Sequence, residues 1–116
     1  MGAAFSYPKA VRLRRRGEFL GVQRHGKRIH TQHFVAIRFP TSRDRTRLGV
    51  TVSRRVGNAV ARNRVKRLVR EVYRHRRGEI SPSMDIVIVA KPGAETLTYA
   101  QVASEFARAV QLATTH

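Results

Sequence analysis

Apolar and polar positions change their period several times along the 116 residues. Residues 1–11 read as an irregular arm: small residues, then Tyr7-Pro8, then charge. A basic run from Arg12 to Arg16 leads into Glu18-Phe19-Leu20-Gly21-Val22, a short helix closing near His25-Gly26 with Phe19 and Val22 on one face. Gly17 and Gly21 weaken that helix. Lys27–Thr31 reads as a short strand and Phe34–Phe39 as a longer one, rich in β-favouring residues and closed by Pro40. A polar turn over Thr41–Arg47 precedes a strand at Leu48–Val52, and together these predict an antiparallel meander. Beyond a long helical stretch, Gly78 and Ser81-Pro82-Ser83 break the chain. Met84–Ala90 is then almost continuously apolar, as expected of a strand covered on both sides. Lys91-Pro92-Gly93 ends it, and Thr98–Ala113 returns to helical period, with Tyr99, Val102, Phe106, Ala109, Val110 and Ala113 on one face. The predicted order is α-β-β-β-α-β-α, a single α+β domain over residues 1–116 with helices on a sheet.

The organising stretch is Ser53 to Arg77, where ten lysines and arginines stand against one acid, Glu71. At 100° per residue Ala61, Val65, Leu68 and Val72 share a narrow sector, with Val69 at its edge. Arg62, Lys66, Arg67, Arg70, Arg74 and Arg77 spread over the opposite half with Asn63 among them. Gly57-Asn58 supplies the start, Asn58 as N-cap. These charges do little for the helix itself. Cations in the first turn oppose the macrodipole, and pairs such as Arg62/Lys66 and Lys66/Arg70 cost a few tenths of a kcal/mol each. A mixed-charge face would serve solubility equally well, so the ridge reads as a polyanion site.

Composition narrows the polyanion. The net charge is +17 and the basic residues are mostly Arg, whose fork-shaped donors suit phosphate and whose plane stacks on bases. An anionic membrane is the competing surface, but the apolar face of the central helix is Val, Leu and Ala without Trp or Phe anchors. No apolar run is long enough to span a membrane, and no h-region follows the basic N-terminus. With no cysteine, disulfides and thiolate zinc sites are excluded. These features point to a soluble, cytoplasmic protein that binds RNA or DNA.

Catalytic groups are missing. The seven acids, Glu18, Asp44, Glu71, Glu79, Asp85, Glu95 and Glu105, are dispersed and give no two-metal nuclease site. His30 and His33 point to opposite faces if their segment is extended, and read as exposed strand histidines. Gly57 stands alone, so there is no phosphate-binding loop. No catalytic residue, protein-held metal or small-molecule cofactor is expected.

The run Val56-Gly57-Asn58-Ala59-Val60-Ala61-Arg62-Asn63-Arg64-Val65-Lys66-Arg67-Leu68-Val69-Arg70-Glu71 closely resembles the signature of the bacterial ribonuclease P protein subunit. Leu13–Arg28, Phe34-Val35, Arg47–Ser53, Asp85–Ala90 and the closing helix are similar to the same family, in order. That resemblance implies a two-layer α/β sandwich of the ribosomal-S5-domain-2-like type with a left-handed βαβ crossover, where periodicity alone gives the right-handed default. It further implies a subunit of an endoribonuclease whose RNA, using Mg²⁺, removes the 5′ leader of precursor tRNA. The protein partners are then RNase P RNA and precursor tRNA.

Carried over by position, Arg62, Asn63, Arg64, Lys66, Arg67 and Arg70 would contact the catalytic RNA or help organise metal near it. Arg54, Arg55 and Asn58 fall where the family approaches the leader, Phe19 matches a cleft aromatic and Lys91 a basic cleft residue. Gln23 and Ile37 stand where aromatics are common in the family, which predicts weaker or differently selective leader contacts. The rival reading is a small basic ribosomal or other RNA-structural protein, which shares charge and size. A DNA-binding regulator lacks support, since no turn-helix signature precedes the basic helix.

Overall fold

A computed structural model describes residues 12–13, 15–41 and 43–112; the arm expected at 1–11 and the helical position Ala113 lie outside them. The elements are α1 (Arg16–His25), β1 (Lys27–His30), β2 (Phe34–Pro40), β3 (Arg47–Thr51), α2 (Ala59–Arg76), β4 (Met84–Ala90) and α3 (Tyr99–Ala109), with short 3₁₀ turns at Arg77–Glu79 and Ala94–Thr96. The order is the predicted one.

The four strands lie in the order β1-β2-β4-β3. β1 and β2 form the antiparallel hairpin expected, and β2 pairs antiparallel with β4. The meander fails at β3, which lies beyond β4 and parallel to it. The reason is the connection: β3 and β4 are joined through the long α2, and a helical crossover returns the chain in the same direction. β4 is thereby the central strand, flanked by β2 and β3. Its apolar run reflects that position, because Ile86 and Ile88 face one cluster while Val87 faces the other.

The larger cluster lies between the sheet and α2 with α3. Phe34, Leu48, Val50, Ile86 and Ile88 meet Val65, Val69, Val72 and Tyr73 of α2 and Val102, Phe106 and Ala109 of α3. The buried stripe of α2 is turned from the expected one: Val69 and Tyr73 are at its centre, whereas Ala61 and Leu68 are only half-buried. Tyr73 explains the turn. Its ring stands edge-on to Phe106 at 6.5 Å between centroids, and its hydroxyl donates to the Thr46 carbonyl at 3.0 Å. On the opposite sheet face α1 seals a smaller cluster of Leu13, Val22, Val35, Ile37 and Val87. The chain ahead of α1 runs beside β3, where Leu13 N–H donates to the Leu48 carbonyl at 2.8 Å.

α1 is fixed to the sheet by charge as well as by packing. Arg47 binds Asp85 through two hydrogen bonds of 3.0 and 2.9 Å and reaches Glu18 at 2.6 Å. Glu18 also accepts from the backbone N–H of Arg15 at the helix start. Hydrogen bonds from Arg47 to Asp85, outweighing burial and reinforced by Glu18, hold the guanidinium pKa above its usual value.

Candidate nucleic-acid interface

The basic helix begins as the sequence predicts. Asn58 Oδ1 accepts from the Ala61 N–H at 2.9 Å. Gly57 keeps the entry narrow, since a Cβ there would lie 2.9 Å from the Ala61 Cβ. Asn63, Arg67 and Arg70 are exposed on the face away from the core, with Arg62 and Lys66 partly exposed beside them. Glu71, the one acid on α2, is occupied: Arg74 donates to both its oxygens and His75 lies 3.2 Å from one of them. Those contacts, Arg74 first, hold its carboxyl below the usual range.

Arg64 differs from its neighbours. Its guanidinium donates to the carbonyls of Glu95 at 3.0 Å and Leu97 at 2.9 Å, so it ties α2 to the segment that enters α3. Nothing in local sequence separates it from Arg62 or Arg67; the distinction comes from carbonyls about thirty residues away.

Ser53 to Val56 form the turn between β3 and the helix entry, with Val56 N–H donating to the Ser53 carbonyl at 3.1 Å. Arg54 and Arg55 are exposed on it and Asn58 follows, so these three adjoin the ridge. Phe19 belongs to the other sheet face, and Lys91 follows the end of β4. The Phe19 ring rests directly on Gly49, where a Cβ would run into it. Lys91 extends past the end of β4 and donates from Nζ to the Thr31 carbonyl at 2.7 Å. Ile37 is fully buried beneath α1 and Gln23 is half-buried in its last turn, so neither position presents an aromatic surface.

His33, expected as an exposed strand residue, is half-buried before β2 and tied to α3. Its Nδ1 lies 2.5 Å from Glu105 Oε2, and its backbone N–H donates to Oε1 at 2.8 Å. Thr31 Oγ1 donates to the same oxygen at 2.7 Å. Burial pushes the Glu105 carboxyl up, but the bonds from Thr31 and His33 outweigh it and hold the group below its usual value.

All seven acids have partners: Glu18 and Asp85 on Arg47, Asp44 on Arg45, Glu71 on Arg74, Glu79 on Arg76, Glu105 on His33, and Glu95 accepting from the Gly93 N–H. Among the described residues no three His, Asp or Glu side chains gather as metal ligands, and no helix is long and apolar enough to cross a membrane.

Residues 7–114 match the family described as Ribonuclease P. The chain belongs to the ribonuclease P protein family. Its relatives include the ribonuclease P protein component of Desulforapulum autotrophicum, 44% identical over 105 residues and 90% of each chain. That of Desulfovibrio desulfuricans is 49% identical over 102 residues, 84% of this chain and 78% of the relative. Among solved structures, the Staphylococcus aureus RNase P protein superposes with a TM-score of 0.81 at 29% identity, covering 89% of this chain and 94% of the other. The Thermotoga maritima RNase P protein gives 0.79 at 31% identity, covering 86% and 94%. The matched span includes both α2 and the α1-covered sheet face described above.

Proposed function

We propose that the chain acts as the RNA-binding subunit of a ribonucleoprotein that removes the 5′ leader from precursor tRNA, working in the cytoplasm with RNase P RNA. The observation that carries this is the α2 surface: Asn63, Arg67 and Arg70 stand exposed beside Arg62 and Lys66, and the only acid of the helix is held by Arg74. Such a face is suited to a folded phosphate backbone. Arg64 contributes mainly by fixing the helix against the segment before α3.

The precursor leader is the second ligand. Arg54, Arg55 and Asn58 adjoin the ridge, and with Phe19 on the α1-covered sheet face and Lys91 past the end of β4 they would give a single strand both cations and an apolar surface. Among the described residues no three carboxylate or imidazole side chains gather as a Mg²⁺ site, and this reading assigns the ion to the RNA. The protein contributes by lowering repulsion between two polyanions with a charge of +17.

The test is leader cleavage at low Mg²⁺ with four arms: protein alone, bacterial RNase P RNA alone, both, and both with Arg67→Ala/Arg70→Ala protein. Cleavage is expected to be efficient with wild-type protein and RNA together and weakened by the double variant. No stimulation by wild-type protein would overturn the reading in favour of a ribosomal-type RNA-binding role. Cleavage by protein alone would overturn it in favour of a protein nuclease.

A further inference from the structure

An open pocket lies on the α2 side of the sheet, at the end where β3 and β4 begin. Arg45 and Thr46 line it ahead of β3, Ser83 ahead of β4, and Arg77, Gly78 and Ile80 beyond the last turn of α2, around a volume of about 360 Å³. Hydrogen bonds set its walls. Tyr73 donates to the Thr46 carbonyl at 3.0 Å, the Met84 N–H to Thr46 Oγ1 at 3.2 Å and the Thr41 N–H to the Ser83 carbonyl at 3.4 Å. The floor is apolar, made by Ile80 and the Tyr73 ring at the edge of the larger core cluster. The mouth is cationic: Arg45 is exposed, Arg43 before it is exposed as well, and Arg77 is half-buried in the wall. The surfaces already described do not reach this pocket. Arg54, Arg55 and Asn58 follow the opposite end of β3. Arg77 stands about 22 Å from Arg62 along α2, at roughly 1.5 Å per residue.

We propose that this pocket receives one unpaired nucleotide of the bound RNA, its base against the Ile80 and Tyr73 floor and its phosphate at Arg45 and Arg77; this rests on the RNA-binding role proposed above. Three observations carry it. The volume is at the lower end of the range for small-ligand sites, about 300–1,000 Å³, which suits a single nucleotide and not a duplex. The lining matches both halves of a nucleotide. Guanidinium groups at the mouth suit phosphate, while the Asp44 carboxylate and the Thr46 and Ser83 hydroxyls offer acceptors to base amino groups. Arg45 meets Asp44 through Nε at 3.3 Å, a bond that uses one of its five N–H donors. The charge also fits. A helix C-terminus by itself repels anions, and Arg74, His75 and Arg76 in the last turn of α2 offset that field. RNA held on the ridge is tethered to the same chain, so its nucleotides reach the pocket at a higher effective concentration than free anions do. The nucleotide comes from RNase P RNA or from precursor tRNA, and the chemistry is common to both.

The experiment titrates full-length wild-type, Arg45→Ala, Arg45→Lys and Gly78→Gln proteins onto RNase P RNA, and then each preassembled holoenzyme onto precursor tRNA. Arg67→Ala/Arg70→Ala protein serves as the ridge control. Gly78→Gln obstructs the pocket without changing charge. A Cβ at Gly78 meets nothing within 4 Å and its φ is not positive, so urea unfolding should match wild type. Loss of the nucleotide is expected to weaken binding about fivefold for Arg45→Ala and for Gly78→Gln, with Arg45→Lys nearer wild type. A loss in the first titration assigns the nucleotide to RNase P RNA, and a loss confined to the second assigns it to the precursor. Chemical probing of that RNA should then show one base protected by wild type and reactive with Gly78→Gln, a change that lower stability alone does not produce. A loss for Arg45→Ala with none for Gly78→Gln reduces the site to surface charge and overturns the proposal. Wild-type affinity for both variants overturns it equally, provided the ridge control still weakens binding. If the ridge control binds RNA like wild type, the RNA-binding role itself fails and the proposal with it.

Discussion

Arg64 donates to the Leu97 carbonyl at 2.9 Å, and through its other terminal nitrogen to that of Glu95 at 3.0 Å. An arginine from the most basic stretch of the chain is thus committed to holding α2 to the segment that enters α3. Hydrogen bonds from charged groups contribute roughly 1.5–3 kcal/mol. Arg64→Ala is expected to lower stability by about 2 kcal/mol, whereas the exposed Arg67→Ala should stay within about 0.5 kcal/mol of wild type. Urea unfolding of both variants checks this; equal stabilities would mean the Arg64 contacts contribute nothing.

The converse holds for RNA. Arg67 is exposed on the ridge, so its loss should weaken RNA binding and reduce the salt slope of log K by about 0.7 for single-stranded contacts. Titrations of wild type and Arg67→Ala across a salt series measure the slopes directly, and parallel lines would remove Arg67 from the phosphate contacts.

Much of this was legible in the chain, and the misses have a common cause. The Asn58 cap, the basic ridge and the doubly covered β4 follow from neighbours in sequence, because each depends on local period or a side chain three residues away. The position of β3 does not follow from the pattern, since alternation within a strand says nothing about which strand it pairs with; its parallel pairing with β4 agrees with the βαβ crossover that the family resemblance implied. Neither do the Arg64 and His33 contacts, whose partners lie about thirty and seventy residues distant.

Gly49 is where packing and the leader path meet. A methyl group there would collide with the Phe19 ring and lie 3.1 Å from the Leu13 Cβ. Because backbone and ring are confined by the sheet and α1, Gly49→Ala is expected to cost about 1–3 kcal/mol. It should also weaken binding of leader-bearing precursor more than of mature tRNA. Unfolding curves combined with both affinities check the pair of effects; an unchanged midpoint would mean α1 shifts freely.

Arg47 and Asp85 predict a larger loss. Both side chains are about nine-tenths buried, and removing Asp85 takes two hydrogen bonds from the Arg47 guanidinium and leaves its charge to Glu18. Asp85→Ala is therefore expected to destabilise by about 3 kcal/mol and to loosen α1 through the shared Glu18 contact. Faster amide exchange in α1 than in α3 would follow, and uniform exchange would contradict the coupling.

Glu105 sets a pH dependence whose sign is fixed by its environment. Bonds from Thr31 and His33 outweigh burial and lower its folded pKa below 4.5, the value of the free side chain. The unfolded chain therefore binds this proton first as pH falls. The stabilisation is fully present above about pH 4.5 and is lost as pH drops through the folded value. Glu105→Gln removes the titrating group, so its stability should fall less steeply with acid below that point than wild type. Urea midpoints measured down the pH series decide it: parallel acid limbs would place the acid sensitivity elsewhere, while a flatter limb for Glu105→Gln would assign it to the carboxyl that joins the β1–β2 turn to α3.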